Sequence, residues 1–285
     1  MGFHSEHFTG IRPGNLRFSL HFLGVWLTMA AMLLEVQQVG LNFGGVQALT
    51  DVSFSVSQGE LFSIIGPNGA GKTTLFDCIS GRYTPKGSIK INGVELVGQK
   101  SHLRPKLGIM RTFQNIALFP NETVEDNVLV GSDYRLRSGL LRSCLYWSPL
   151  GCSRQEGSHR AQAREIMAEL GVEQFANVPA SELAYGTQKR VELARALVAQ
   201  PALLLLDEPM AGMTSGEKME IAALVQKLNQ ERGITVVMIE HDMGVVMEIS
   251  HRVLVLDFGQ RIALGPPLEV IEDPQVRRAY LGEAV

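Results

Sequence analysis

The sequence predicts an α/β protein: a doubly wound core around a phosphate-binding loop, with an antiparallel β subdomain ahead of it and an inserted helical subdomain. Three observations carry this. The apolar, β-branched run Leu61-Phe62-Ser63-Ile64-Ile65 enters the glycine-rich stretch Gly66-Pro67-Asn68-Gly69-Ala70-Gly71-Lys72-Thr73-Thr74 and leaves it in Leu75–Ser80, which reads as helix. Leu203-Leu204-Leu205-Leu206 and Ile234-Thr235-Val236-Val237-Met238-Ile239 are continuous apolar runs, as expected of strands covered on both faces. Residues 33–56, finally, alternate apolar and polar with a glycine turn in the middle, the pattern of paired antiparallel strands.

Taken in order, residues 1–32 stand apart as an N-terminal extension. Met1 to Gly14 is loop-like, and His4 and His7 are better explained by a disordered tail than by metal binding. Residues 22–34 carry no charge, but thirteen residues fall short of the ~20 needed to span a bilayer. Two readings are left, an interfacial helix or an extension from an early start codon, and we expect the second, with Met29 or Met32 as the functional start. The folded domain is expected over 33–285. Asn42-Phe43-Gly44-Gly45 turns between its first two strands, and Ser88–Ile91 is a strand ending in an Asn92-Gly93 turn. Gly108–Gln114 reads as a further strand with Gln114 at its end.

Residues 115–185 read as the helical subdomain. Thr123 caps Val124–Val130, placing Glu125 and Asp126 in the first turn, where the helix dipole favours them. Arg135, Arg137, Arg142, Arg154, Arg160 and Arg164 outnumber the intervening acids and interleave with Leu140, Leu141, Leu145, Tyr146 and Trp147. Such a stretch suits a membrane surface or a partner's loops, although an ordinary solvated helix pair with an insert at 148–151 accounts for it equally well. Further on, 217–230 is an amphipathic helix with Ile221, Leu224, Val225 and Leu228 on one stripe. Arg252–Leu256 and Gln260–Ala263 form a hairpin around Asp257-Phe258-Gly259.

The bulk numbers limit the function classes. A chain of 285 residues, 45% hydrophobic and 19% charged, can bury a substantial core. A net charge of −3 argues against nucleic-acid binding, which needs a basic face. Three cysteines without ligand spacing fit a reducing compartment and no disulfide framework.

The chemistry gathers at the ends of the buried strands. In Gly66–Thr74 the glycines let successive N–H groups turn inward on an anion, and the following helix points its positive end at the same place. Lys72 reaches β- and γ-phosphates, and the Thr73 hydroxyl suits Mg²⁺, so this loop binds a nucleoside triphosphate. Asp207-Glu208 end the four-leucine strand, where open α/β sheets hold their ligands. Asp207 is placed to serve Mg²⁺ and Glu208 to orient or deprotonate an attacking water. His241 follows the next strand and can donate to a γ-phosphate oxygen, leaving the helix cap to Asp242. Gln114 can reach Mg²⁺ or the water, and Phe43 can stack on a purine or pack under its turn. Leu183-Ala184-Tyr185-Gly186-Thr187 runs into a second helix and offers a second anion-binding terminus.

Together these elements resemble the ABC transporter ATPase family, over roughly residues 33–265. The resemblance implies that Lys72, Thr73 and Asp207 handle phosphate and Mg²⁺. It makes Gln114 the sensing glutamine, Glu208 the catalytic carboxylate, His241 the switch histidine and Phe43 the adenine-stacking aromatic. It also implies that Ala184, Tyr185, Gly186 and Thr187 touch the nucleotide held by a homologous partner subunit. The signature departs from Leu-Ser-Gly-Gly-Gln, since Ala184 replaces the serine and Tyr185 and Thr187 replace glycine and glutamine. Thr214 stands where many members carry Asp. The Leu-x-Tyr-Gly-x-Gln signature, the Arg-rich insert and the run Asp273–Glu283 are similar to the ATP-binding subunit of branched-chain amino acid importers. Ala211-Gly212-Met213-Thr214 is also similar to urea or amide importer subunits. Implied partners are permease subunits and, indirectly, a solute-binding protein, with the chain peripheral on the cytoplasmic face of the membrane. A regulatory subunit with weak hydrolysis is the alternative that the altered signature suggests. A GTPase is disfavoured because no Asn-Lys-x-Asp motif occurs.

Overall fold

The computed structural model describes residues 31–132 and 152–281, with 152–156 and 281 described in backbone only. The fold belongs to the unit Met32–Val285. The expectations for residues 1–30, for Arg135, Arg137 and Arg142, for the apolar residues between 140 and 147, and for the insert at 148–151 lie outside the described residues.

The chain opens with two twelve-residue strands, β1 (Met32–Phe43) and β2 (Val46–Ser57), paired antiparallel around the Gly44-Gly45 turn. After the phosphate loop and α1 (Lys72–Ile79), β4 (Lys86–Ile91) adds to the far side of β1, and the Asn92-Gly93 turn returns the chain into β5 (Val94–Glu95). The four make one antiparallel sheet in the order β2-β1-β4-β5. The second sheet has six strands. β3 (Leu61–Ile65) lies between β8 (Thr235–Ile239) and β9 (Arg252–Asp257); β7 (Leu203–Asp207) and β6 (Ile109–Arg111) continue beyond β8, all parallel. Only β10 (Gln260–Gly265), the partner of β9, runs antiparallel.

Why the four-leucine run needs no polar face is visible in its burial. Leu204 and Leu206 enter a core built with α2 (Val124–Val130), α3 (Cys152–Glu169), α4 (Tyr185–Leu197), α5 (Ser215–Arg232) and α6 (Met243–Ile249). Leu203 and Leu205 enter a second core on the opposite face, with Leu75, Phe76 and Ile79 of α1 and the inner face of the antiparallel sheet. The parallel sheet is therefore covered by helices on one side and by α1 plus a second sheet on the other. Two further helices, α7 (Pro267–Glu272) and α8 (Pro274–Leu281), follow β10.

Residues 115–185 are less uniformly helical than their composition suggests. The segment 112–122 is loop, and Glu173–Phe175 and Ala180–Glu182 are single 3₁₀ turns. Polar side chains take over the backbone bonding there: Asn127, fully buried, binds Phe119 through both its amide oxygen and its amide nitrogen. Thr123 caps α2 by accepting from the Asp126 N–H. Arg160 and Arg164 are held by Glu125 at 3.4 and 3.0 Å, so two of the six arginines fasten α3 to α2. No described helix is long and apolar enough to cross a membrane.

Candidate functional site

Because β3, β6, β7 and β8 are parallel, their carboxyl ends open on one edge of the sheet, and every strand-end candidate residue lies there. The phosphate loop leaves β3 under tight steric control. Gly66 has φ +149°, and a Cβ on it would stand 2.1 Å from the Leu256 carbonyl oxygen. Gly71, at φ +97°, precedes the first turn of α1, and a Cβ there would meet the Ala48 carbonyl oxygen at 2.7 Å. Neither position admits a side chain, which is why glycine occupies both. Gly69 is also left-handed, Ala70 is buried, and Pro67, Asn68, Thr73 and Thr74 stand at the open side of the loop. Lys72 is buried, and its ammonium donates to the Gly66 and Pro67 carbonyls at 2.7 and 2.9 Å. Burial lowers its pKa, opposed by the charges of Glu208 and Asp207.

Glu208 joins two of the other candidate residues. Its Oε2 accepts from Gln114 Nε2 at 2.9 Å, and its Oε1 meets His241 Nε2. With the carboxylate ionised, His241 is the donor. Glu208 itself has φ +49°, although the following Pro209 favours an extended residue before it. A non-glycine residue held in the left-handed region at a strand end is the kind of strain found at functional sites. Gln114 lies three residues beyond the end of β6 rather than on it, in the loop that begins at Thr112.

Asp207 is buried and shared between protein and cleft. Its Oδ2 accepts from Arg111 at 2.7 Å, while Oδ1 is buried without a partner. Burial raises its pKa, and the hydrogen bond and charge of Arg111 pull it back down. An orphaned carboxylate oxygen near the Thr73 hydroxyl's loop is an all-oxygen donor set, the kind that Mg²⁺ takes, so these residues fit that ion. Among the described residues no group of three His, Cys, Asp or Glu side chains stands ready to hold a metal by itself, here or elsewhere.

Arg111 is the residue that motif reading missed. Its guanidinium also donates to Asp77 of α1 at 2.6 Å and to the Ser80 hydroxyl at 2.9 Å. Phe76 and Phe113 flank it, with ring centroids 5.6 and 5.5 Å away. One buried cation thus ties the phosphate-loop helix to Asp207, from a strand that leads into Gln114. Glu240 was missed as well. It is buried, takes the Met210 and His241 N–H groups at 3.1 Å each, and its pKa is raised by burial. The available signal was an ionisable residue inside an apolar strand or helix: Arg111 in Ile109–Arg111, Asp77 among Phe76, Cys78 and Ile79. Asp242 caps α6, accepting from Gly244 and Val245.

The signature residues lie at the exposed start of α4, with Ala184 as its cap residue. The Tyr185 hydroxyl donates to the Ala211 carbonyl at 3.2 Å, and Gly186 faces the Glu217 carboxylate. Their described contacts run to the segment 211–217, where Thr214 and Glu217 form a capping box on α5, and not to the phosphate loop. Phe43 is half exposed, its ring meeting Tyr83 edge-on at 4.9 Å.

Comparison with known proteins decides the family. Residues 49–211 match the model for ABC transporters, which spans the phosphate loop through Asp207 and Glu208. The chain belongs to the ABC transporter ATP-binding family. Within this cassette family, residues 260–285 also match the model of the branched-chain amino acid ATP-binding cassette transporter. The high-affinity branched-chain amino acid transport ATP-binding protein BraF of Pseudomonas aeruginosa is 40% identical over 257 residues, covering 90% of this chain and all of that protein. LivG of Escherichia coli, of the same description, matches with the same identity and coverage. Among solved structures, the ADP conformation of MJ1267, an ATP-binding cassette of an ABC transporter, superposes with a TM-score of 0.76 at 31% identity, over 89% of this chain and all of that one. Members of this family are ATPases that drive transport. The expected α/β cassette, with its antiparallel sheet and helical arm, is the fold observed.

Proposed function

We propose that this cassette is the ATP-hydrolysing subunit of an importer for branched-chain amino acids, seated on the cytoplasmic face of the membrane against its permease. The observation that carries the substrate class is the C-terminal match over 260–285, together with 40% identity to BraF along that relative's whole length. The urea or amide reading rests only on four residues, 211–214, and has no comparable support.

In this reading Gly66–Thr74 cradles the triphosphate through backbone N–H groups and the α1 dipole, with Lys72 turning from its own loop carbonyls to the phosphates. Thr73 and Asp207 Oδ1 would hold Mg²⁺, with Gln114 beside them. The ion neutralises phosphate charge when bound. Glu208 aligns and deprotonates the attacking water. Gln114 and His241, both bonded to its carboxylate in this state, hold its orientation, and on nucleotide binding His241 turns to a γ-phosphate oxygen and Gln114 to the water. Phe43 offers its exposed face to the adenine. Catalysis is then mostly positioning and charge stabilisation.

The described contacts at the start of α4 run to the 211–217 segment rather than to the loop of its own chain. Ala184, Tyr185, Gly186 and Thr187 are therefore assigned to the nucleotide of a second cassette, and each site is completed by a homologous subunit. The helical arm, about 115–185, is assigned to the permease. A purely regulatory role, suggested by Ala184 and Tyr185, is opposed by Lys72, Asp207, Glu208 and His241 all being in place. Reconstitution with a branched-chain amino acid permease and its binding protein tests the proposal. ATP-dependent leucine uptake into vesicles is expected; uptake of urea but not leucine would move the substrate, and none with either would remove the transport reading.

A further inference from the structure

Two charged residues of α4 have no part in the chemistry above. The side chains of Lys189 and Glu192, one turn apart, are only 4% and 2% exposed. Charges are costly in such a place unless they are answered. The pair itself is loose, with 3.4 Å between Lys189 Nζ and Glu192 Oε2. Its closer bonds go to the loop that follows β6. Lys189 Nζ donates to the Gln114 carbonyl at 3.0 Å and to the Phe113 carbonyl at 3.2 Å. Glu192 Oε1 accepts from the Phe113 N–H at 3.3 Å. Three successive peptides, from Thr112 to Asn115, are therefore held by one face of α4. A turn further along, Arg195 donates to the Ala117 carbonyl at 2.6 Å. The segment 112–122 has no helix or strand of its own to fix it. Yet from it the Gln114 amide meets Glu208 at 2.9 Å.

We propose that Lys189 and Glu192 are positioning residues for hydrolysis: by clamping the backbone on both sides of Gln114, they place its amide within reach of Glu208 and the attacking water. This rests on the reading of Glu208 as the carboxylate that aligns that water. A glutamine side chain has several rotatable bonds, so its amide is well placed only when the backbone beneath it is fixed. A misplacement of about 1 Å among catalytic groups can cost about 10²-fold in rate. The clamp is built from charged groups bonded to backbone, and hydrogen bonds of that kind are stronger than neutral ones.

Removing one member alone would leave the other charged and buried, so the test replaces both, Lys189→Met with Glu192→Met. Apolar replacement of a buried pair is often neutral for stability, and the melting temperature without nucleotide should stay within roughly 4 °C of the parent. Turnover of the reconstituted transporter at saturating ATP is expected to fall by about 10- to 100-fold. ATP affinity of the subunit, measured by calorimetry with Mg²⁺, should be kept, because the phosphate loop is untouched. A milder pair, Lys189→Met with Glu192→Gln, keeps the shape at 192 and the acceptor for the Phe113 N–H. It serves where the first variant unfolds, and its turnover should still fall, by less. The same replacements are then made in a Gln114→Ala background, where a clamp that acts through Gln114 has nothing left to place and should cause no further loss. Parent-rate turnover in a folded pair variant, or the same fold-loss with and without Gln114, overturns the proposal. Parent-rate phosphate release by Glu208→Gln would instead remove the reading on which it rests.

Discussion

Replacing Arg111 by Met tests how the site is held together. Met keeps an unbranched, polarizable stem between Phe76 and Phe113 but removes the guanidinium. The side chains of Arg111, Asp77 and Asp207 are 9%, 7% and 3% exposed, so two carboxylates lose their partner inside the protein. Removing one member of a buried pair costs about 3–5 kcal/mol. Asp77 retains Arg82 at 3.7 Å, but that arginine is 69% exposed and its help is screened. For a chain of this size each kcal/mol lowers the melting temperature by about 2–4 °C, so a fall of about 6–20 °C is expected. The pH dependence has a definite sign. The Asp207 pKa is already raised by burial and restrained by Arg111. A carboxyl whose folded pKa is raised binds its proton more tightly in the folded state, so its contribution falls as pH rises from the ordinary carboxylate range through the raised value. Without Arg111 the rise is larger. The deficit of Arg111→Met should therefore be greatest near pH 8 and shrink near pH 5, followed by calorimetry of the nucleotide-free protein. A melting temperature within about 2 °C of the parent near pH 8, or a deficit that grows on acidification, would refute the buried clamp.

Other positions give simpler outcomes. Gly66→Ala places a methyl 2.1 Å from the Leu256 oxygen, and ATP affinity measured by calorimetry should drop at least about tenfold; normal affinity would contradict the loop geometry. Thr214→Ala removes the capping box on α5 and should cost about 1 kcal/mol, read as a melting-point fall of about 2–4 °C. Burial pushes the Cys78 thiol up to about 12, so it should resist iodoacetamide near pH 8 until the protein is denatured, as followed by peptide mass spectrometry. Fast labelling of the folded chain would show that α1 opens.

Motif spacing carried the strand-end residues well because their roles are local. A glycine loop between a buried strand and a helix, or Asp-Glu after four leucines, seldom serves packing alone. The β1–β2 hairpin and the capped helix α2 were legible for the same reason, since turn and cap chemistry act within a few residues, whereas α5 was legible from its apolar stripe and not from its cap. What depended on distant pairing was not legible. Arg111 is 34 residues from Asp77 and 96 from Asp207; the β6–β7 pairing brings it beside Asp207, and the packing of α1 on β7 brings Asp77. Glu240 read as part of a loop motif, yet its carboxylate is spent on the Met210 and His241 backbone. The helical reading of 115–185 was too broad because Asn127 and Gln188 satisfy loop carbonyls that composition cannot anticipate. Gln114 and His241 were assigned towards metal and phosphate, and the structure adds that both hold Glu208.

Glu208→Gln carries the most direct test, because it keeps the side-chain shape and removes the base. Phosphate release by the reconstituted transporter, with the substitution in this subunit alone, should fall by about 10²–10⁴-fold while ATP binding is retained. Phosphate release at the parent rate would contradict the assignment of hydrolysis to this chain.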